Sequence, residues 1–213
     1  MRRTLIILLF VCISTFSYSQ SKTEIGLTTE GSWFNPYRAY DHDWATKAGF
    51  GTGLGVYASQ TVWWRFSADA GLMFHYKQME QHYSFPKSGS VEDPYTYQYD
   101  EGWAKYGLNY LVVPVHLQLR YGKYGFIRGG IEAGWLTNYT FGRKKTEYNW
   151  TVGIGNQRHK LKWSVNYIWG FKEVGFANGL HEYEYENGKY RSATCYKNRM
   201  FQLSFSYPIW QRK

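Results

Sequence analysis

The strongest constraint on the fold is a regular alternation of large apolar residues with small or polar ones. From Phe201 to Ile209 every second residue is Phe, Leu, Tyr or Ile, and the residues between them are Gln, Ser or Pro. From Leu161 to Phe171 the same spacing places Trp, Val and Tyr opposite Lys, Ser and Asn. Because successive side chains of a strand point to opposite faces, each segment predicts a strand with one apolar and one polar face.

The same pattern recurs upstream and predicts eight strands in all. Aromatic residues form 21% of the chain and there are 22 glycines, a composition that favours β-structure. Every second residue from Gly49 to Gly55 is glycine, which indicates a crowded or sharply curved interior face. The predicted strands lie at about residues 22–33, 49–59, 62–77, 108–121, 124–140, 148–156, 161–171 and 201–209.

The links between these strands alternate strictly between short and long. Short links are predicted around Gln60, at Gly122 and Lys123, and at residues 157–160; longer ones at residues 35–46, 78–105, 141–147 and 172–198. Residues 78–105 are predicted to form one long surface loop. An even strand number with short links at one end and long loops at the other is typical of an outer-membrane β-barrel with both termini in the periplasm.

The apolar faces decide between a membrane barrel and a soluble one. Their length on nearly every strand matches the ~25 Å apolar band of a membrane barrel, and the small or polar opposite face suits a lumen that side chains fill. The predicted fold class is therefore all-β: an eight-stranded antiparallel up-and-down transmembrane β-barrel. The alternative is that the aromatic rings form the core of a soluble protein. Mean hydropathy is −0.53 and no apolar window reaches ~20 residues, which argues against membrane-spanning helices.

The N-terminus reads as a secretory signal peptide. Arg2 and Arg3 precede an apolar run, and small residues follow, so we predict a signal peptide at residues 1–19 and a single barrel domain at residues 20–213. Removal of the signal takes away Cys12 and leaves Cys195 as the only cysteine, which excludes an internal disulfide.

The mature chain is basic. The 25 Lys and Arg residues include Arg2 and Arg3, so 23 remain against 16 Asp and Glu, a net charge of +7. For an exported protein this balance predicts outer-membrane lipid and lipopolysaccharide as partners, with other envelope proteins as further candidates and no nucleic acid. A general contribution to solubility is the alternative.

Residues 110–135 carry a specific resemblance. Tyr110, Leu111 and Pro114 form a YL-x-x-P strand that continues with alternating aliphatic residues, and a Gly-rich strand follows at residues 129–136. Together with Ser19-Gln20 and Asn198-Arg199, this resembles the PorT-like family of small outer-membrane β-barrels of Bacteroidota. The resemblance implies the fold and the location; some members of that family are components of a secretion machine. The chain departs from it at the C-terminus, where Trp210 is followed by Gln211, Arg212 and Lys213.

Ionisable residues on the polar faces are predicted to fill the lumen. Arg128 and Glu132 share one face of a strand, and Arg120 belongs to its neighbour, so we expect a buried Arg-Glu-Arg cluster in a plug of paired side chains. A conducting pore would need a wider barrel. Pro114 cannot donate to a ladder, so a bulge or local break is expected there. The predicted lumen residues are Arg65, Asp69, His75, His116, Arg120, Arg128, Glu132 and Lys162.

Two loop segments are candidates for interactions. The first is Asp41-His42-Asp43, a His between carboxylates. The second is a hairpin around Asn187-Gly188, a strong hairpin signal, with Tyr183 and Tyr185 on one strand. HxH and HExxH spacings are absent, so no metal, cofactor or catalytic residue is predicted. The sequence thus predicts a non-enzymatic structural, binding or envelope-assembly protein; the alternatives are an accessory component of a secretion machine and a lipid-modifying enzyme using His42.

Overall fold

Eight long strands dominate the computed structural model. It describes residues 22–35, 37–38, 46–86, 99–138, 146–158, 160–171, 174–175, 183–186, 189–192 and 195–212. The long strands are β1 (Thr23–Phe34), β2 (Gly49–Trp63), β3 (Phe66–Pro86), β4 (Tyr99–Tyr121), β5 (Gly125–Leu136), β6 (Thr146–Arg158), β7 (Leu161–Gly170) and β8 (Arg199–Arg212).

These strands close into a barrel. Each pairs antiparallel with its sequence neighbours, and β1 closes the circle by pairing with β8 from Thr23–Arg212 to Phe34–Met200. The predicted eight-stranded antiparallel barrel is therefore confirmed. Closure leaves no open edge around the body of the barrel, so the backbone polar groups of its wall are satisfied within the wall.

Short strands extend the end of the barrel that carries the long links. Thr46–Lys47 pairs with Glu80 and Gln81 of β3; Val174–Gly175, Cys195–Lys197 and Tyr37–Arg38 form a second small sheet. Tyr183–Glu186 pairs with Lys189–Ser192, which confirms the predicted hairpin strands, while Asn187 and Gly188 lie outside the described residues. Among the described residues, no helix has the length and apolar character needed to cross a membrane.

The prediction of one loop at residues 78–105 is wrong. β3 and β4 remain paired far beyond the other strands, as far as Pro86 opposite Tyr99. The sequence here lacks the apolar alternation, because a ladder that projects beyond the body of the barrel has no apolar face to maintain. Hydrogen bonding between the two strands extends the hairpin regardless.

The turn between β2 and β3 also differs from the prediction. It lies at Trp64 and Arg65, not around Gln60, and Trp64 has a positive φ of 42°. The apolar alternation runs through the turn without interruption, which concealed its position. The β4–β5 turn lies where predicted, with Gly122 at φ 58°, in the left-handed region that glycine adopts without steric cost.

The two faces of the wall have opposite character. Large apolar side chains point outward on all eight strands, among them Leu54 (63% exposed) and Ile154 (58%), whereas Glu132 and Glu147 point inward and are 3% and 1% exposed. Aromatic residues cluster near the turns, including Trp63, Trp64, Tyr121, Tyr124, Trp163 and Trp210. A second aromatic group lies toward the long links and includes Trp33, Trp135, Tyr148, Trp169 and Phe171.

Pro114 interrupts the β3–β4 ladder without shifting its register. Pairing runs to Ala70–Val115 and resumes at Met73–Val112, so the intervening positions are unpaired. A Cβ on Gly71, the residue opposite, would lie 3.2 Å from the Pro114 ring. The expected local break is confirmed; its cause is the missing N–H of proline, and the small neighbour leaves space for the ring.

Candidate functional site: the packed lumen

A hydrogen-bonded network crosses the middle of the lumen. Glu30 on β1 lies at its centre, where Oε2 accepts from Gln202 Nε2 at 2.7 Å and Oε1 accepts from Ser204 Oγ at 3.1 Å. His75 Nε2 on β3 lies 2.7 Å from Glu30 Oε2. A buried carboxylate is costly unless it is paired, and here β8 and β3 supply its partners.

Arg128 extends this network to β5 and β7. Its Nε donates to Asn166 Oδ1 at 2.7 Å and its Nη2 donates to Ser204 Oγ at 3.4 Å. Asn166 Nδ2 in turn donates to Gln202 Oε1 at 3.0 Å. Side chains of β1, β3, β5, β7 and β8 are thus connected across the interior.

A second cluster lies nearer the short turns. Lys162 Nζ lies 3.2 Å from Glu24 Oε1 and 3.8 Å from Asp69 Oδ2. The Tyr57 hydroxyl donates to Glu24 Oε1 at 3.4 Å, and the ammonium lies 5.5 Å from the centre of the Tyr57 ring. One buried cation therefore joins two carboxylates from strands that are not neighbours of each other.

A third cluster lies nearer the long links. Lys77 Nζ donates to Glu147 Oε1, and Asn149 Nδ2 donates to the same oxygen at 3.3 Å. Lys77 Nζ also lies 4.5 Å from the centre of the Tyr110 ring. Buried apolar side chains pack together in this half of the lumen and toward its middle. The buried apolar group consists of Phe34, Met73, Met79, Leu108, Tyr110, Val112, Ile168 and Met200.

Inward-facing glycines determine which side chains meet. Gly53 on β2 lies directly between Glu30 and His75 in the ladders, and a Cβ there would lie 2.5 Å from His75 Cδ2. Gly153 occupies the same place between Arg128 and Asn166, and a Cβ on it would lie 2.2 Å from Asn166 Oδ1. Each glycine leaves the space through which side chains two strands apart make contact. The predicted crowded interior behind the glycine row is thus confirmed.

The middle of the lumen contains a small cavity. A cavity of about 30 Å³ lies between the middle network and the Lys162 cluster, bordered by Tyr57, Pro114, His116 and Arg128. Its volume is of the order of one or two water molecules. The side-chain contacts described above cross the lumen on either side of this cavity, so this part of the interior has no room for a wide aqueous channel.

Most of the predicted lumen residues do lie in the lumen. Asp69, His116, Arg128 and Glu132 are buried on the inner face, as are His75 and Lys162. The predicted Arg-Glu-Arg cluster is wrong, because Arg128 donates to the amide and hydroxyl groups described above. Glu132 Oε1 instead lies 3.6 Å from His116 Nε2.

The other two arginines predicted to lie in the lumen, Arg65 and Arg120, lie at the short-turn end of the barrel. Arg65 is exposed in the β2–β3 turn with its guanidinium carbon 4.3 Å from the centre of the Trp64 ring, so its predicted lumen position is wrong. Arg120 has the inward parity of β4 but is exposed near the next turn, where it donates to Gln157 Oε1 at 3.4 Å. The alternation predicts whether a side chain points into or out of the barrel. Whether an inward side chain is buried depends on how far it lies from the end of the barrel.

The loop candidates stay predictions. Asp41, His42 and Asp43 lie outside the described residues, as does the predicted signal peptide. Tyr183 and Tyr185 belong to a described hairpin strand, paired with Ser192 and Tyr190. Among the described residues, no group of three His, Cys, Asp or Glu side chains is arranged to hold a metal ion.

The buried apolar group is not among the sequence predictions. Several of its members follow polar residues on the inner face of their strands, and the alternation alone does not single them out. Ile168, for example, follows Ser164 and Asn166 on the inner face of β7. The detectable signal is limited to residues such as Phe34 and Met200, which are apolar at the long-link ends of β1 and β8, where they lie opposite each other in the ladder.

No family model matches the sequence, and no curated protein matches it. Among solved structures, the chain is similar to Ail, the attachment invasion locus protein of Yersinia pestis, in complex with the heparin analogue sucrose octasulfate. The two are 13% identical over 90% of this chain and 100% of that chain, with a TM-score of 0.40. Similarity to the translocator domain of the autotransporter NalP from Neisseria meningitidis is weaker, with 12% identity over 97% and 95% of the two chains and a TM-score of 0.28. The strand pairing itself therefore carries the assignment of the fold.

Proposed function

We propose that this chain is an integral β-barrel protein of a bacterial outer membrane, with a lumen filled by side chains, that acts without catalysis in a structural, binding or envelope-assembly role. The observation that carries the proposal is that polar and apolar side chains are arranged in the opposite way to a soluble protein. Charged residues such as Glu147 and Lys162 are buried inside, and the outer wall is apolar on every strand.

The apolar wall needs a hydrocarbon environment. Monomeric soluble proteins rarely expose apolar patches larger than a few hundred Å². Here exposed Leu, Ile, Val and Phe side chains encircle the barrel between two groups of aromatic residues, as in the apolar band and girdles of membrane barrels. The shortest wall strand, β7, has 10 residues, which fits the ~9–11 residues of a tilted membrane-spanning strand.

The proposed orientation places the short turns in the periplasm. Both described chain ends lie at this end, because Thr23 pairs with Arg212 and the amide of Thr61 donates to the carbonyl of Lys22 at 3.1 Å. The extended β3–β4 hairpin and the short strands then lie outside the cell. This is the usual arrangement of short periplasmic turns and long external loops.

A non-catalytic role is supported by how the lumen carboxylates are used. Glu30, Glu132 and Glu147 lie against a histidine or a lysine, and amide or hydroxyl groups also donate to two of the three carboxylates. These groups balance buried charge rather than project toward a substrate-sized space. The resemblance to the PorT-like family, and with it a place in a secretion machine, stays a prediction.

The test is whether the mature chain folds only with lipid or detergent. Urea-unfolded protein diluted into detergent micelles is expected to fold into a barrel that migrates differently on a gel with and without boiling. Protein that is monodisperse in plain buffer and shows no such heat-modifiable migration would overturn the proposal. For the role, lipid A from cells expressing the chain should keep its mass; a mass change that is lost in His42→Ala would favour the enzyme alternative.

A further inference from the structure

The short-turn end of the barrel carries an unusual set of charges. Exposed basic side chains follow one another around it, in the turns and at the strand ends that adjoin them. We call this set the basic ring. Its members are Lys22, Arg65, Arg120, Lys123, Arg158, Lys160 and Arg212.

Backbone contacts hold the members of the ring at one end of the barrel. The amide of Arg120 donates to the carbonyl of Arg65 at 2.9 Å, which joins two successive turns. Arg212 pairs with Thr23, the residue after Lys22, at the point where the barrel closes. One or two members of the ring therefore lie at each of the three short turns and at the paired chain ends.

No exposed carboxylate balances the ring among the described residues of this end. Glu24 is the nearest acidic side chain toward the outside; it is 13% exposed and contacts Lys162 inside the lumen. Asp69 is buried and contacts the same lysine. At the opposite end the charges are mixed, because Lys47 and Lys105 each lie 3.5 Å from Glu80. Among the described residues, the ring therefore differs from these two lysines in having no exposed carboxylate beside it.

Aromatic side chains fix the depth of the ring. The guanidinium of Arg65 lies over the Trp64 ring, and Lys123 Nζ lies 5.2 Å from the centre of the Tyr124 ring. Exposed indole and phenol rings at the edge of an apolar band lie at the level of lipid head groups. The cations next to them then lie at the level of the lipid phosphates.

We propose that the basic ring binds the phosphate groups of anionic phospholipids in the leaflet that surrounds the short turns. The inference rests on the membrane location proposed above. A cation at the membrane surface favours an anionic lipid beside it over a neutral lipid by roughly fivefold. Salt screens this attraction. A bilayer fits better than a soluble polyanion because the charges lie around the rim, directly next to the apolar band. Lipids that contact the barrel wall have their head groups at this level.

The experiment measures lipid selectivity of the folded barrel in bilayers. The barrel is reconstituted in phosphatidylcholine, and spin-labelled phosphatidylglycerol and phosphatidylcholine are compared for their association with its surface. The test variant is Arg65→Gln/Lys123→Gln. Its matched control is Lys47→Gln/Lys105→Gln, which removes two exposed cations from the other end. Both variants leave the lumen contacts untouched.

The native barrel and the control variant are expected to prefer phosphatidylglycerol several-fold, and the preference should fall at least about twofold in the test variant and in high salt. No preference in a barrel that has inserted, or an equal loss in both variants, would overturn this inference and leave the membrane location standing. Failure to insert into neutral bilayers would instead overturn the proposed location. Displacement of the labelled lipid by soluble polyphosphate at equal phosphate concentration would overturn the lipid assignment in favour of a polymeric partner.

Discussion

Glu30 Oε2 and His75 Nε2 lie 2.7 Å apart although their strands, β1 and β3, are separated by β2. The residue of β2 that lies between them in the ladders is Gly53, and the space it leaves is filled by their contact. Contacts that skip a strand connect the wall of a narrow barrel through its interior. The placement of inward glycines thereby controls how the charged groups are paired.

Gly53→Ala should therefore destabilise the barrel. The new Cβ would lie 2.5 Å from His75 Cδ2, so the imidazole must move away from Glu30. Overpacking of this kind costs about 1–3 kcal/mol of the free energy of unfolding. Gly31→Ala is the matched control, because Gly31 faces outward on β1 and its Cβ would meet nothing within 4 Å. Urea titration of folded barrels on unboiled gels measures both; equal midpoints would show that the glycine does not control the pairing.

Lys77 and Glu147 should behave as a coupled pair. Lys77→Met leaves the Glu147 carboxylate buried without its cation, and breaking a buried pair in this way costs about 3–5 kcal/mol. Lys77→Met/Glu147→Gln removes both charges and should recover most of that loss. A double-mutant cycle from urea unfolding measures the coupling. Additive single and double variants would mean that the two groups are stable independently of each other.

Arg128 and Arg120 have the same inward parity on adjacent strands, yet the structure predicts opposite results for them. Arg128→Met removes the buried guanidinium that donates to Asn166 and Ser204. We expect the free energy of unfolding to fall by about 3 kcal/mol. Arg120→Met changes an exposed residue and should stay within about 0.5 kcal/mol of the native protein. Unfolding midpoints of the two variants compare the sites directly. A larger effect at Arg120 would contradict the observed depths.

The outward face can be probed with a single charge. Ile131 lies in the middle of β5 and is half-exposed, so Ile131→Arg should destabilise the folded barrel in bilayers by about 2–4 kcal/mol. Val62→Arg places the same charge near the β2–β3 turn, where the cost is about 0–1 kcal/mol. The comparison is made in lipid vesicles by reversible urea unfolding. A neutral result at both positions would mean that the outer face does not meet hydrocarbon.

Alternation was sufficient to predict the barrel and most of its inner face. The spacing of apolar residues on β7 and β8 specifies strands directly, because the side-chain period of a strand is two. The same spacing predicts the inward positions of His116, Arg128 and Glu132, which are buried in the lumen. Closure followed from the even number of strands and the alternation of short and long links.

The predictions from the alternation are wrong at the ends of strands. The alternation shows which way a side chain points, but not where a strand turns or how far it extends. The apolar spacing continues through Trp64 and predicts a strand position for Arg65, which lies in a turn. The outer part of the β3–β4 hairpin has no apolar face, so its sequence predicts a loop where the structure has paired strands. Both errors concern the ends of strands, where hydrogen bonding and not side-chain burial determines the structure.

The period of two along each strand is a local property, so the sequence is enough to predict which of its residues face inward and which face outward. Which inward residues meet depends on the fold of the whole barrel. Glu132 contacts His116 and not Arg128, and Arg128 reaches Asn166 over Gly153, because the order of strands around the barrel, their register and the spaces left by glycines set those distances. These are properties of residues far apart in the chain, and no local pattern contains them.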